Sequence, residues 1–321
     1  MDVQDNEKKA ENEDNEDNEV DSEEPVHKIT IKHLVVAGGG TYGLKAYGSL
    51  QETQKQGLWS VNDLQSCHAT SMGVVICIMI FLQYEWKELD DYIIKRPWHH
   101  LFHYDIYSIL NSFNTNGFYD ISTFKQLFRP LFKGMDISED ITLLEFYEKT
   151  NIDFHIYTTS VNAFDAVDLS HKTHPNWTLL EAAYASGCIP IFFKPFEKDG
   201  EFYIDGGVFL NYPVEKCLDL YPHEEILGIY KITDEPEKMK TSSNLLEYIG
   251  ILFGQVSYRI QREDCSIIPY EIKIDSPSIN IGEIFEFCKS ETCRAEWAEI
   301  GRVLAKNHIE KWTDCSKSEL L

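Results

Sequence analysis

The residues of this chain whose types and spacing could do chemistry are one serine, one aspartate and two glycine-rich turns. Ala69-Thr70-Ser71-Met72-Gly73 is one residue short of the G-x-S-x-G pattern. In that pattern a serine sits on a sharp strand-to-helix turn with its hydroxyl exposed, and small neighbours let the surrounding backbone pass within contact distance. The competing reading of Ser71 is a plain helix N-cap. Gly38-Gly39-Gly40-Thr41-Tyr42-Gly43 follows an apolar run, and consecutive glycines present backbone N–H groups with no side chain in the way. Such a loop suits the oxyanion that develops when a serine attacks a carbonyl. Asp205, in Asp205-Gly206-Gly207, closes a β-rich run and offers a carboxylate base, although an isolated Asp-Gly-Gly is also an ordinary tight turn. Nucleophile, oxyanion donors and base together spell acyl transfer.

These turns need a scaffold, and the apolar pattern supplies one. Short β-rich runs at 34–37, 64–70, 152–161, 201–207, 226–232 and 267–274 alternate with helical patterns at 42–57, 71–82, 87–150, 178–187, 243–262 and 291–312. Strands separated by helices imply an α/β fold with a mostly parallel central sheet covered by helices on both faces. Adjacent parallel strands would bring their C-terminal ends, and with them the two glycine turns, to one edge of the sheet. Gly38–Gly43 also satisfies G-x-G-x-x-G, but a dinucleotide site needs an acidic residue at the end of the following strand. Glu52 falls inside the helix and Asp63 precedes the strand, so that reading is weak.

The order of these parts resembles the patatin-like phospholipases, lipid acyl hydrolases with a three-layer fold. The likeness runs through the G-G-G-x-x-G loop at Gly38–Gly43, the elbow at 69–73, the segment Ala182–Pro190 and the Asp-Gly-Gly at 205–207. It covers about residues 33–215 and is closer to members encoded by large DNA viruses than to plant storage patatins. The resemblance implies a Ser/Asp dyad without histidine, Ser71 as nucleophile and Asp205 as its base. It further implies an oxyanion hole at Gly38, Gly39, Gly40 and Gly43, an elbow shaped by Ala69, Thr70, Met72 and Gly73, and a turn at Gly206 and Gly207. The implied reaction cleaves fatty-acyl esters of lipids or phospholipids through an acyl-serine, with no cofactor and no metal. Two positions depart from the family pattern: Ala69 stands where a glycine is usual, and Tyr42 where Arg or Lys is usual. Lys45 lies beyond the loop, on the helix. Two alternatives stay open: an inactive patatin-like scaffold that binds lipid or protein, and an α/β-hydrolase esterase whose triad adds His308 or His223.

Composition sets the outer limits. The 321 residues carry a formal net charge of -24, against the basic face that nucleic-acid binding requires. Residues 1–28 read as a disordered acidic tail, 29–313 as the patatin-like domain and 314–321 as a C-terminal tail; the first stretch has too few apolar residues to offset the entropy of ordering. No basic, apolar leader opens the chain, and the longest apolar run, Gly73–Leu82, spans ten residues where a bilayer needs about 20. The expectation is therefore an intracellular protein, cytoplasmic or in peripheral contact with membrane. The eight cysteines form no C-x-x-C pair and read as reduced thiols. His68 reads as packed on its strand. His99, His100 and His103 lack a carboxylate at metal-binding spacing, and the aromatics of 95–102 read as core more than as a lipid-facing patch.

Overall fold

The computed structural model describes residues 29–102, 116–233, 238–241, parts of 248–259, 268–276 and 281–318. The acidic tail, His103, most of the helix expected at 243–262 and the last three residues lie outside them.

Ten strands are described: β1 (His33–Val36), β2 (Ser66–Thr70), β3 (Gly117–Tyr119), β4 (Asp153–Ser160), β5 (Asp165–Leu169), β6 (Ile191–Phe193), β7 (Phe196–Lys198), β8 (Glu201–Asp205), β9 (Ile226–Thr233) and β10 (Tyr270–Ser276). The main sheet runs β10-β9-β1-β2-β4-β8-β7, with β5 on the other edge of β4. From β10 to β4 every pairing is parallel; β8, β7 and β5 pair antiparallel. The fold is thus α/β with a mostly parallel sheet. The central strands β1, β2 and β4 are buried along their whole length, as a sheet covered on both faces requires.

The helix Met72–Phe81 is apolar all round, and all of it but Met72 is buried against the sheet. The helix Leu179–Gly187 starts at a capping box in which Thr178 and Glu181 satisfy each other's backbone N–H. The helix Gly43–Lys55 packs on the long C-terminal helix Glu291–Ser318. Their backbones approach so closely that a Cβ on Gly48 would stand 1.9 Å from Ala298 O, and one on Gly301 the same distance from Lys45 O. Ser49 adds a hydroxyl bond to Gly301 O. Strands β9 and β10 and the C-terminal helix, all downstream of residue 215, therefore belong to the same sheet and core as the glycine loop. No helix among the described residues is long and apolar enough to cross a membrane.

Candidate active site

Ser71 and Asp205 meet because two strands end head to head on one edge of β4. β2 pairs with residues 153–157 of β4 and stops with Thr70 opposite Tyr157. β8 comes from the other direction and stops with Asp205 opposite Thr158. Since β5 occupies the far edge of β4 over residues 156–160, β8 must lie on the β2 edge, directly beyond the end of β2. Parallel β1 and β2 align the glycine loop and the elbow as expected, Val36 standing opposite Ala69, whereas the aspartate arrives on an antiparallel strand.

The elbow is strained as the sequence pattern demands. Ser71 has φ 53 and ψ -122, a combination that a side-chain-bearing residue holds only where its surroundings fix it, at a cost of about 1–3 kcal/mol. Its N–H donates to Ser186 Oγ at 2.8 Å, and the Ser186 hydroxyl donates in turn to Tyr157 O at 2.6 Å. Behind the elbow the chain comes so close that a Cβ on Gly73 would sit 2.4 Å from Val36 O. Ala69 is fully buried in the core, and the turn forms with alanine in the glycine position.

The Ser71 hydroxyl donates to Asp205 Oδ2 at 2.5 Å, and the Gly207 N–H donates to Oδ1 at 2.7 Å. Both carboxylate oxygens are thereby oriented. The main chain of Asp205 is pinned as well, its N–H donating to Cys188 O and its carbonyl accepting from the Thr159 hydroxyl. Burial pushes the Asp205 carboxyl up, and the bonds from Ser71 and Gly207 with the field of Lys231 pull it back, leaving it at about 6. A carboxylate at that value is ionised at neutral pH yet a stronger base than an exposed one. Neither histidine of the alternative triad is bonded to Ser71 or Asp205: His308 is bonded to Leu304 O in its own helix, and His223 pairs with Glu224 on an exposed turn.

The four glycines of the loop divide into two roles. The N–H of Gly38 donates to Asn211 O and that of Gly43 to Gly40 O and Thr41 O, so neither is available to an oxyanion. The N–H groups of Gly39 and Gly40 have no acceptor among the described residues, and Gly40 adopts φ 52. Gly38 instead permits close approach, since a Cβ there would stand 2.5 Å from Asn211 Oδ1 and 3.0 Å from Ser71 Cβ. Asn211 holds this loop to the Asp-Gly-Gly turn, its side chain donating to Gly38 O. Tyr42 stacks on Trp297 at 4.4 Å, with the Lys45 ammonium over its ring.

Residues 34–218 match the family described as patatin-like phospholipase. The chain belongs to that family. Among its relatives, a protein named "Probable lipid hydrolase" from Invertebrate iridescent virus 6 is 26% identical over 192 residues, 57% of this chain and 62% of its own length. An uncharacterized protein of Acanthamoeba polyphaga mimivirus is 25% identical over 184 residues, covering 57% and 60%. The match thus spans about three fifths of the length of these relatives. Of solved structures, VipD from Legionella pneumophila aligns with 88% of this chain and 67% of its own at 15% identity and a TM-score of 0.48. ExoU, solved with SpcU of the Pseudomonas aeruginosa type III secretion system, aligns over 89% and 52% at 15% identity and a TM-score of 0.45.

Three side chains of this patatin-like site escaped the sequence reading. Ser186 had a signal, a hydroxyl in a helix otherwise lined with Leu, Ala and Tyr, which needs a partner once buried. Lys231 had another, a lone cation in the apolar run Ile226–Ile232. Asn211 had none, because its partner lies 173 residues away. His68 is buried and stacked on His155, as expected of a packed strand residue, and Trp98 is buried while His99 and His100 are exposed.

Proposed function

We propose that the chain is a serine lipid acyl hydrolase that cleaves fatty-acyl esters of lipids or phospholipids with Ser71 as nucleophile and Asp205 as base. The observation that carries this reading is the 2.5 Å bond from the Ser71 hydroxyl to a buried aspartate, on a turn strained in the nucleophile-elbow manner. As Ser71 Oγ attacks the ester carbonyl, its proton passes to Asp205 Oδ2, and the oxyanion is received by the unspent N–H groups of Gly39 and Gly40. Collapse expels the alcohol, which takes the proton from Asp205 and leaves an acyl-serine. Water then attacks that ester with Asp205 again accepting the proton, and a second collapse returns it to Ser71 and frees the fatty acid. No step calls for a metal or cofactor. Membership of a family of phospholipases and a relative named as a lipid hydrolase support an acyl lipid as the substrate class.

A fluorophosphonate probe tests the reading. Wild-type protein is expected to label on Ser71 and to release fatty acid from defined phospholipid vesicles. Ser71→Ala should do neither, and Asp205→Asn should label slowly. A folded wild type that neither labels nor releases fatty acid would refute the proposal and leave an inert scaffold that binds lipid or protein.

A further inference from the structure

Beside the glycine loop lies a small, partly open pocket whose walls include Gly38, Gly39, Tyr42, Ile229, Ile274 and Lys231. Lys231 enters it from β9, two residues beyond the position at which Ile229 pairs with Val36 of β1. Alternation along the strand puts Lys231 on the same face as Ile229, which lies in the main core with Val36 and Leu34. The Lys231 ammonium forms no ion pair or hydrogen bond among the described residues, although its side chain is only partly exposed. Such a cation is costly to keep unless an anion visits it. The other lysine near the loop, Lys45, is already engaged: its ammonium donates to Asp275 O and lies over the Tyr42 ring.

Resting on the hydrolase reading above, we propose that Lys231 is the charge-stabilising residue of this site, its ammonium offsetting from β9 the negative charge that forms at the glycine loop during acylation of Ser71. The geometry gives it a short route: Lys231 and Gly39 line one pocket, and Gly38, on the same wall, stands against the Ser71 side chain. The field already reaches the dyad in the resting protein, where Lys231 draws the Asp205 carboxyl down and Asp205 supports the ammonium. Burial nevertheless depresses Lys231 to about 8. Tyr42 is the other titratable side chain on that face; the Tyr230 ring packs on Tyr212 on the opposite side of the sheet.

The test compares wild type, Lys231→Met and Lys231→Arg on a short-chain ester and on fluorophosphonate labelling across pH 5–10. Lys231→Met is expected to lower kcat and the labelling rate by about 10- to 100-fold, to lose the alkaline limb near 8 and to move the acid limb above 6. Lys231→Arg should restore most of the rate and carry the alkaline limb upward. A merely structural lysine would change stability without shifting either limb. A folded Lys231→Met with wild-type kcat and unchanged limbs overturns this proposal alone. A wild type that does not label at all overturns it together with the hydrolase reading, since no oxyanion then forms for Lys231 to meet.

Discussion

Replacing Ser186 with alanine deletes one oxygen that serves two backbone groups of the elbow. In the native protein that oxygen accepts from the Ser71 N–H at 2.8 Å and donates to Tyr157 O at 2.6 Å, and Ser186 is fully buried. The methyl left behind can do neither. Each stranded buried group costs about 1–3 kcal/mol, so Ser186→Ala, which strands two, should destabilise the fold by about 2–6 kcal/mol. Part of that loss can be relieved if Ser71 leaves its positive φ, which releases strain of about 1–3 kcal/mol. Relief by that route turns the hydroxyl away from Asp205. We therefore expect fluorophosphonate labelling to slow by about 10- to 100-fold, one factor of ten per 1.4 kcal/mol. Urea unfolding gives the first quantity, with an unchanged m-value required for the comparison. Labelling at a temperature where the variant is fully folded gives the second. A loss below about 0.5 kcal/mol together with wild-type labelling would show that Ser71 holds its conformation without this bond, and the account of the elbow would be wrong.

Other substitutions probe separate parts of the same argument. The rate of ester hydrolysis should fall as pH drops through about 6, where Asp205 takes up its proton, and the measured kcat/KM profile should carry that limb. Asp205→Asn, which keeps the shape but not the base, should lower kcat by about 10² to 10⁴. Gly73→Ala forces a methyl to 2.4 Å from Val36 O, so its thermal midpoint should drop by the equivalent of about 1–3 kcal/mol or the protein should fail to accumulate. His308→Ala should leave turnover unchanged, and a collapse of activity would revive the triad that the bond to Leu304 O argues against. At the far end of β4, burial works against the charge on His155, but Asp153 and Asp168 outweigh it and hold the imidazole at about 9. A folded value above the unfolded one stabilises fully below 6.5 and is lost as pH rises through about 9, so wild-type stability should decline between those limits by at most about 3 kcal/mol. The decline should vanish in His155→Gln; a slope of equal size in that variant would place its origin elsewhere.

The local chemistry of this site was written in the sequence, because turns are set by near neighbours. A serine flanked at two residues by Ala69 and Gly73 at the end of a buried strand suits a tight elbow, and a run of glycines after another buried strand suits exposed amides. The apolar runs likewise marked β1, β2, β4 and β9, since strands covered on both faces must be apolar throughout. Three-residue strands such as β3, β6 and β7 carry too few residues to leave that imprint, and β5, with aspartates at two of its five positions and only partly covered, lacks the apolar run.

Pairing across long stretches of chain was decided only in three dimensions. Nothing in Glu201–Asp205 says that it will run antiparallel to β4 and halt one residue past the end of β2, because strand direction depends on where the connecting chain can go. The same holds for the amides: Gly38 and Gly43 look like Gly39 and Gly40 in sequence, and only folding assigned acceptors to the first pair and left the second pair open. Ser186, Asn211 and Lys231 reach the site from 115 residues beyond Ser71, 173 beyond Gly38 and the far side of β1. Sequence spacing fixes what a turn can become, whereas contacts between distant segments exist only once loop-closure entropy has been met by the packing of the whole sheet.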